Sequence, residues 1–372
     1  MNNPRKPIDR FHAIIPAGGV GSRLWPLSRA SAPKFLHDLT GSGQTLLQDT
    51  WDRITPISSD KRTMIVTGLA HEEAVKAQLP KLSTANLVIE DSPKDSTAAI
   101  ALAAAILAKR EPDVIIGSFA ADHVIQDSPA FQAAVAEGIE IAATDKIVVI
   151  GIQPTEASVG FGYIKTGEAL EVSGAPSALA VEKFVEKPKL DRAKKYVESG
   201  KYLWNAGMFI APAALLLRQL AKSEPELHAG ILELAAAWDT DQRAATIKKV
   251  WPTLKKVAID YSIAEPAAAA GLVAVVPGKF SWHDVGDFAA IAELQSQGRK
   301  NNLAVLGSAR VLSDSSSGIL VSDTKRMIAV IGLEDVIIVD TPDALLVTNK
   351  ENAQKVKALV DSLKATGHDE IL

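Results

Sequence analysis

The sequence predicts an α/β fold in which helices flank a mixed, mainly parallel β-sheet, followed by a small all-β appendage and a terminal helix. Short β-branched runs alternate with helical patterns at roughly 25 to 35 residues per unit, as in βαβ crossovers. The run at 114–119 is apolar on both faces, which indicates a strand covered by helices on both sides. From 301 to 348, short apolar runs follow one another closely, separated by Asp, Ser, Gly and Pro.

The first 150 residues supply the predicted parallel strands and the helices between them. The strands are predicted at 13–16, 63–67, 87–90, 114–119 and 146–150. The helices are predicted at 45–54, 71–79, 97–110 and 129–143. The helix at 97–110 is nearly all Ala, Ile and Leu, so it should be a central, buried packing element.

The rest of the chain predicts a subdomain and the appendage. Gly and Pro are frequent at 151–188 and helical patterns dominate 190–250, which indicates an insertion that extends the sheet. Strands are predicted at 318–321, 327–331, 336–339 and 344–347. A last helix at 350–365 has Asn349 as its N-cap and Gly367 as its stop. The predicted organisation is an extended or disordered stretch at 1–10, one large domain at 11–298 and a small β domain at 299–372.

Composition excludes several classes of function. The 372 residues carry a net charge of −4, from 40 basic and 44 acidic residues, so no basic field points to nucleic acid. The absence of cysteine excludes disulfides, thiolate metal sites and cysteine nucleophiles. The N-terminus has no apolar signal-peptide core, and no uncharged apolar run approaches 18 residues. We therefore expect a cytoplasmic protein that contacts neither nucleic acid nor membrane.

A glycine-rich stretch directly after the first strand is the main candidate for chemistry. Three interpretations compete: a dinucleotide-binding turn, a kinase-type phosphate loop and a structural turn. Leu24 stands where a dinucleotide fingerprint needs its third glycine, and no G-K-[ST] string follows, so both named motifs fail. Glycines still let backbone N–H groups approach a phosphate, and Arg23 and Lys34 supply cations. A triphosphate site would draw on Ala17, Gly18, Gly19, Gly21 and Ser22.

Asp122 is a candidate Mg²⁺ ligand, and Asp284 lies in a second acidic string. Asp122 follows the strand at 114–119, where α/β sheets bind ligands, although a strand-end Asp is also a common turn former or helix cap. Asp284 lies in S-W-H-D-V-G-D-F; an N-cap for the next helix is the rival interpretation, and Asp287 could serve as that cap. The neighbouring His283 has no assigned role and is expected to be structural.

The string G-G-V-G-S-R-L-W-P-L-S, followed by P-K, resembles the signature of the sugar-1-phosphate nucleotidyltransferases, and W-P-L-S is similar to their mannose-1-phosphate guanylyltransferase branch. Four further strings agree in order: E-D-S-P-K-D-S-T-A-A-I (90–100), G-F-G-Y-I (160–164), E-K-P (186–188) and W-N-A-G-M-F (204–209). The segment 327–347 also resembles the region after the catalytic domain in that branch. The sequence departs from the family pattern at Ser96, Thr97, Phe35 and 157–159.

The resemblance implies a Rossmann-like nucleotide-diphospho-sugar transferase fold with a left-handed β-helix-like appendage. It implies that GTP and mannose 1-phosphate give GDP-mannose and diphosphate, with Mg²⁺ on Asp122 and Asp284. Arg23 and Lys34 would be catalytic, and Asp95 would join the glycine loop in binding the nucleotide. The sugar phosphate would contact Gly162, Glu186, Lys187, Asn205 and Gly207.

Alternatives remain open at the level of sequence. A related enzyme could use glucose 1-phosphate or another nucleotide, and a silent homologue could bind sugar nucleotides as a regulatory subunit. We expect a homodimer. Longer family members carry a C-terminal cupin-type isomerase domain that these 372 residues do not contain, so isomerase activity is not predicted.

Overall fold

The computed structural model describes residues 5–296 and 302–372. The first part of the chain alternates strands with helices: β1 (Phe11–Ala17), α1 (Leu46–Ser58), β2 (Thr63–Gly68), α2 (Glu72–Gln78), β3 (Leu87–Glu90), α3 (Asp95–Arg110), β4 (Ile115–Ser118), β5 (His123–Ile125), α4 (Ser128–Ala142) and β6 (Ile147–Ile152). The predicted strands and helices of this region are confirmed, with their ends shifted by at most four residues.

The middle of the chain adds antiparallel strands and a helical wall. Its elements are β7 (Tyr163–Ala169), β8 (Leu179–Val185), α5 (Leu190–Ser199), β9 (Tyr202–Pro212), α6 (Ala213–Ser223), α7 (Pro225–Ala237), α8 (Arg243–Val250), α9 (Glu265–Ala269), β10 (Val273–Pro277), β11 (Trp282–Asp284) and α10 (Phe288–Ser296). A π-helical turn, Asp260–Ala264, leads directly into α9.

Nine of these strands form one mixed sheet in the order β3-β2-β1-β4-β9-β6-β10-β8-β7. The parallel part comprises β3, β2, β1 and β4, together with the β6–β10 pair. β9 runs antiparallel between β4 and β6. The start of β9 also pairs with β7, so this half of the sheet closes on itself.

Helices cover both faces of the sheet, as predicted. In β1, Ile14 packs in a core shared with α3, α6 and α7, whereas Ala13 and Ile15 pack in a second core with α1 and α4. Side chains alternate along a strand, so one apolar run supplies both cores. The predicted central helix is confirmed, because α3 is buried from Thr97 to Leu107.

The expectation that helices dominate 190–250 was incomplete, because the 11-residue strand β9 lies within it. This strand is buried on both faces at the centre of the sheet, so its sequence is mostly apolar apart from Asn205 and lacks the alternation typical of a half-exposed strand. The N-terminal expectation also changes: Pro7–Arg10 forms a short 3-10 helix, whereas residues 1–4 lie outside the described residues.

The C-terminal part is a small β-helix with a final helix: β12 (Leu303–Gly307), β13 (Arg310–Asp314), β14 (Gly318–Ser322), β15 (Met327–Ile331), β16 (Val336–Asp340), β17 (Leu345–Asn349) and α11 (Val356–Ala365). Parallel ladders join β12 to β14, β14 to β16 and β13 to β15. Asn349 caps the helical segment that begins at Lys350, and Gly367, at φ +79°, follows its end, as predicted. The predicted domain boundary at 298 lies outside the described residues.

The β-helix packs against the segment that follows the glycine-rich stretch. Leu24 and Trp25 share an apolar cluster with Ile319 and Ile337 of the β-helix. The Trp25 indole N–H also donates to the Ile371 carbonyl at 2.7 Å. Over the described ranges of the chain, no helix combines the length and apolar character needed to cross a membrane.

Candidate active site

The glycine-rich loop folds back over Lys34. Gly19 and Gly21 both have positive φ, at +82° and +74°, which disfavours any side chain. A Cβ on Gly21 would lie 2.8 Å from the Lys34 Cβ, and the Lys34 N–H donates to the Val20 carbonyl at 3.2 Å. Gly21 is therefore required both by the turn and by the close approach of Lys34.

Lys34 joins the two aspartates that the sequence singled out. It is 6% exposed, and its Nζ lies 2.8 Å from Asp122 Oδ2 and 3.4 Å from Asp284 Oδ1. Nζ also donates to the Val285 carbonyl at 2.9 Å. Burial alone would lower the pKa of Lys34, but the charges of Asp122 and Asp284 outweigh it and raise that pKa. The ammonium therefore stays charged at neutral pH.

A short antiparallel ladder brings the two carboxylates together. β5 begins directly after Asp122, and it pairs with β11 so that His123 lies opposite Asp284. Burial raises the pKa of Asp122, but the nearby Lys34 charge reverses the effect and keeps it below its usual value. Two carboxylates thus share one cation where β5 pairs with β11.

These residues fit a divalent cation. Two carboxylates from different strands already converge on one positive charge, and Mg²⁺ is commonly held by one or two carboxylates together with substrate phosphates. Within residues 5–296 and 302–372, no cluster of three or more acidic or histidine side chains forms a complete protein-only cage. Two carboxylates would leave the remaining coordination positions of such an ion to substrate phosphates and water.

A cleft of about 850 Å³ opens beside the glycine loop. Gly18, Gly19, Asp95 and Asp122 line it; the first three are predicted nucleotide-binding residues and Asp122 is a predicted metal ligand. The other predicted loop residues lie at its margin: Ala17 is a buried strand end that accepts a hydrogen bond from Thr67, and Ser22 begins the 3-10 helix that carries Arg23. Among the described residues, no carboxylate lies within ion-pair distance of Arg23. Its charge is therefore free for a ligand.

The predicted sugar-phosphate residues also come together. Gly162 accepts a hydrogen bond from the Asn205 N–H at 2.8 Å, and a Cβ on Gly162 would lie 2.5 Å from Glu186 Oε2. The Gly207 N–H donates to Asn205 Oδ1 at 3.1 Å, and Gly207 has φ of +67°. Lys187 Nζ lies 3.1 Å from Glu186 Oε1. The strands β7, β8 and β9 thus bring the Glu186 carboxylate, the Asn205 amide and the Lys187 ammonium together in one site.

Three carboxylates beside the predicted residues were missed. Asp260 Oδ1 accepts from Asn205 Nδ2 at 2.9 Å, and burial followed by the charge of Glu186 raises the pKa of Asp260 to about 7. Glu265 Oε1 accepts from the Glu186 N–H at 3.0 Å. Glu90 lines the nucleotide cleft, where burial and then Asp95 raise its pKa to about 7. In the sequence, Asp260 stands out only as the single acidic residue of A-I-D-Y-S-I-A.

His283 lies outside both groups. It lines a second cleft of about 850 Å³ together with Asp284 and an aromatic wall. Phe161 packs edge-on against Trp204 and Trp282, with 5.1 Å between ring centroids in each pair.

Asp287 accepts from the Ala290 N–H at 2.9 Å, which confirms it as the N-cap of α10.

Known proteins resemble the chain over almost its whole length. Residues 12–301 match the family model "Nucleotidyl transferase", and residues 309–363 match "MannoseP isomerase/GMP-like beta-helix domain". The "Xanthan biosynthesis protein XanB" of Xanthomonas campestris pv. campestris is 35% identical over 96% of this chain and 74% of its own. The "Mannose-1-phosphate guanylyltransferase" of Escherichia coli K12 is 33% identical over 97% and 75%.

A solved structure agrees with these sequences. The crystal structure of a "mannose-1-phosphate geranyltransferase" from Thermus thermophilus superposes with a TM-score of 0.84 at 29% identity, covering 95% of this chain and 99% of that one. The family matches cover both the large domain and the β-helix. The chain belongs to the nucleotidyl transferase family and carries, after the large domain, a segment that matches the "MannoseP isomerase/GMP-like beta-helix domain".

Proposed function

We propose that the protein transfers GMP from GTP to α-mannose 1-phosphate, releasing GDP-mannose and diphosphate. Relatives named mannose-1-phosphate guanylyltransferase, 33–34% identical over almost the full chain, support the substrates. The observation that carries the chemistry is the buried ammonium of Lys34, held between Asp122 and Asp284 beside the glycine loop.

The reaction needs little acid–base chemistry from the protein. The phosphate of the sugar is already anionic at neutral pH, so it can attack the α-phosphorus of GTP without a general base. Its difficulty is that one anion must approach another, so the site must neutralise charge and align the reactants in line. Arg23 and the loop amides of Gly18 and Gly19 would hold the triphosphate and the departing diphosphate. Lys34 would offset charge at the reacting phosphates.

The metal would be Mg²⁺, held by Asp122 and Asp284. When bound, it supplies positive charge that neutralises phosphate oxygens. The protein's own part is to hold the two carboxylates adjacent through the β5–β11 ladder, and to keep the pKa of Asp122 low through the nearby Lys34 charge. Lys34 would also limit repulsion between the two carboxylates before substrate arrives.

The sugar phosphate would occupy the group around Asn205. Glu186 and Asn205 offer an acceptor and an amide to the sugar hydroxyls, and Lys187 offers a cation to the phosphate. Gly162 and Gly207 have no side chain and so leave room for the ring. A Cβ at Gly162 would also collide with Glu186. Asp260 joins this set through its hydrogen bond with Asn205. The homodimer expected from the sequence stays a prediction.

A substrate matrix tests this proposal. Diphosphate release is measured for the four common NTPs against mannose, glucose and other sugar 1-phosphates, with and without Mg²⁺. We expect GTP with mannose 1-phosphate to give the highest kcat/KM. A clear preference for glucose 1-phosphate or another nucleotide would replace the assigned substrates, and binding without turnover for every pair would indicate a regulatory sugar-nucleotide-binding protein.

A further inference from the structure

One segment connects the nucleotide cleft to the candidate sugar site. We call residues 257–265 the bridge segment; it includes the π-helical turn Asp260–Ala264 and ends on the first residue of α9. Lys256, directly before it, lines the nucleotide cleft. The segment therefore lies where a change at one site can reach the other.

On the sugar side, the bridge segment supplies two carboxylates. Asp260 accepts from the side-chain amide of Asn205, and Glu265 accepts from the backbone N–H of Glu186, at 2.9 and 3.0 Å. Asn205 in turn accepts from the N–H of Gly207. The position of the bridge segment therefore sets the orientation of the groups that would face a sugar.

On the nucleotide side, the first turn of α3 holds the segment in place. The Ile259 N–H donates to Ser96 Oγ at 2.9 Å, and the Thr97 N–H donates to the Val257 carbonyl at 3.3 Å. The hydroxyls of Thr97 and Ser262 form a 2.8 Å hydrogen bond with both side chains almost fully buried, at 0% and 2% exposure. Ser96 and Thr97 are also positions where the sequence departs from the family pattern.

We propose that Thr97 and Ser262 are positioning residues for sugar binding. A buried hydroxyl pair has no water to replace a lost partner, so breaking it leaves an unsatisfied group and lets the turn shift. The shift displaces Asp260 and Glu265, and with them Asn205 and Glu186. The nucleotide-facing groups on α3, Asp95 and Ser96, precede Thr97, and in Thr97→Val the Ser96 hydroxyl still accepts from the Ile259 N–H at the start of the turn. This inference rests on the proposed function, because it assumes a sugar phosphate at Asn205.

Isosteric variants separate the hydroxyl from the shape of the side chain. Thr97→Val keeps the volume and removes the hydrogen bond, whereas Thr97→Ser keeps the hydroxyl and loses a methyl group. The double variant Thr97→Val/Ser262→Ala removes both hydroxyls, so neither is left buried without a partner. It therefore tests the loss of the hydrogen bond without the added cost of an unsatisfied buried group. Thr63→Val is the matched control, because Thr63 forms a comparable buried pair with Ser58 at 2.7 Å, at the opposite end of the strands.

The readouts are KM for each substrate and the affinities of GDP-mannose and GDP, measured by calorimetry. For Thr97→Val and the double variant, we expect KM for mannose 1-phosphate to rise about five- to tenfold, with KM for GTP changed less than twofold. GDP-mannose should bind correspondingly more weakly, while GDP binding stays unchanged. Thr97→Ser should restore the sugar KM, and Thr63→Val should leave both KM values as in the wild type.

The outcomes distinguish the two proposals. If Thr97→Val and Thr63→Val give the same sugar KM, or if both KM values rise together, the positioning role is wrong and the proposed function stands. If the wild-type protein releases diphosphate with a different sugar 1-phosphate, the variants are tested with that sugar. Its KM should then rise in Thr97→Val while KM for GTP changes less than twofold. If it binds neither GDP nor GDP-mannose and turns over no pair, the proposed function fails and this inference fails with it.

Discussion

The substitution Gly21→Ala tests whether the glycine loop positions Lys34. It adds one methyl group at a residue with φ of +74°, and that group would lie 2.8 Å from the Lys34 Cβ. Carbon atoms in contact are usually about 3.5–4.0 Å apart, so the loop or Lys34 must move by roughly 0.7 Å. Lys34 is held on its far side by Asp122, Asp284 and the Val285 carbonyl, so it cannot move without changing those contacts.

Two separate costs follow. An alanine in the left-handed region costs about 1–2 kcal/mol of stability, whatever lies around it. The displacement of Lys34 acts on catalysis, where a misplacement of about 1 Å can lower the rate by roughly 10²-fold. We therefore expect a modest loss of stability and a large loss of kcat, with a smaller change in KM for GTP.

The matched control is Gly43→Ala. Gly43 also has positive φ, +84°, but a Cβ there would have no neighbour within 4 Å. Denaturant unfolding should show similar losses of stability for both variants, and diphosphate release should separate them by about two orders of magnitude. If Gly21→Ala keeps a kcat within twofold of Gly43→Ala, Gly21 does not position Lys34 and the reasoning fails.

Three further predictions concern other parts of the molecule. Lys34→Ala and Asp122→Ala should each lower turnover by about 10²-fold or more, and Asp122→Ala should raise the Mg²⁺ concentration for half-maximal rate; near-normal diphosphate release would contradict the assignment. The pKa of Asp260 is raised to about 7 in the folded protein, which therefore keeps a proton that the unfolded chain releases near pH 4. The stability that this proton contributes is lost as pH rises from about 4 to 7. Between pH 5 and pH 8, Asp260→Asn should reduce the loss of unfolding free energy by at most about 3 kcal/mol, measured with denaturant; an unchanged pH dependence would assign the proton to another group. Ile337→Ala, at 1% exposure in the cluster beside Leu24, should cost about 2–4 kcal/mol, whereas Leu345→Ala, at 55% exposure, should change stability by less than about 0.5 kcal/mol; equal effects would show that this cluster does not stabilise the chain.

Strands with one clear pattern were predictable from the sequence, and strands stabilised by their neighbours were not. The prediction for 87–90 coincides with β3, and that for 327–331 with β15. β12 and β13 were missed: β12 is a short apolar run whose residues are mostly exposed or half-buried, and β13 has only two apolar residues, so neither shows the alternation of a half-buried strand. Their parallel partners β14 and β15 hold them in the β-helix, and a partner distant in sequence leaves no local signal.

The same limit applies to the candidate site. The glycine loop and Lys34 could be identified because their chemistry lies within one short stretch of sequence. The meeting of Asp122 and Asp284 depends on pairing between two three-residue strands, which periodicity does not reveal. Asp260 was missed because it lies in a helical turn and becomes notable only when Asn205 is brought against it. In each case the missing information is a long-range contact.

The β-helix contacts the residues that flank the site as well as the rest of the large domain. Leu24 follows Arg23, Val285 follows Asp284, and both are fully buried in the cluster that includes Ile337. The Val285 carbonyl accepts from Lys34, so a movement at this interface would reach the ammonium through one hydrogen bond. An interface variant should therefore lower kcat/KM for both substrates together, unlike Thr97→Val, which should affect the sugar alone. That contrast distinguishes an interface that positions Lys34, and so affects both substrates, from the bridge segment, which affects the sugar site alone.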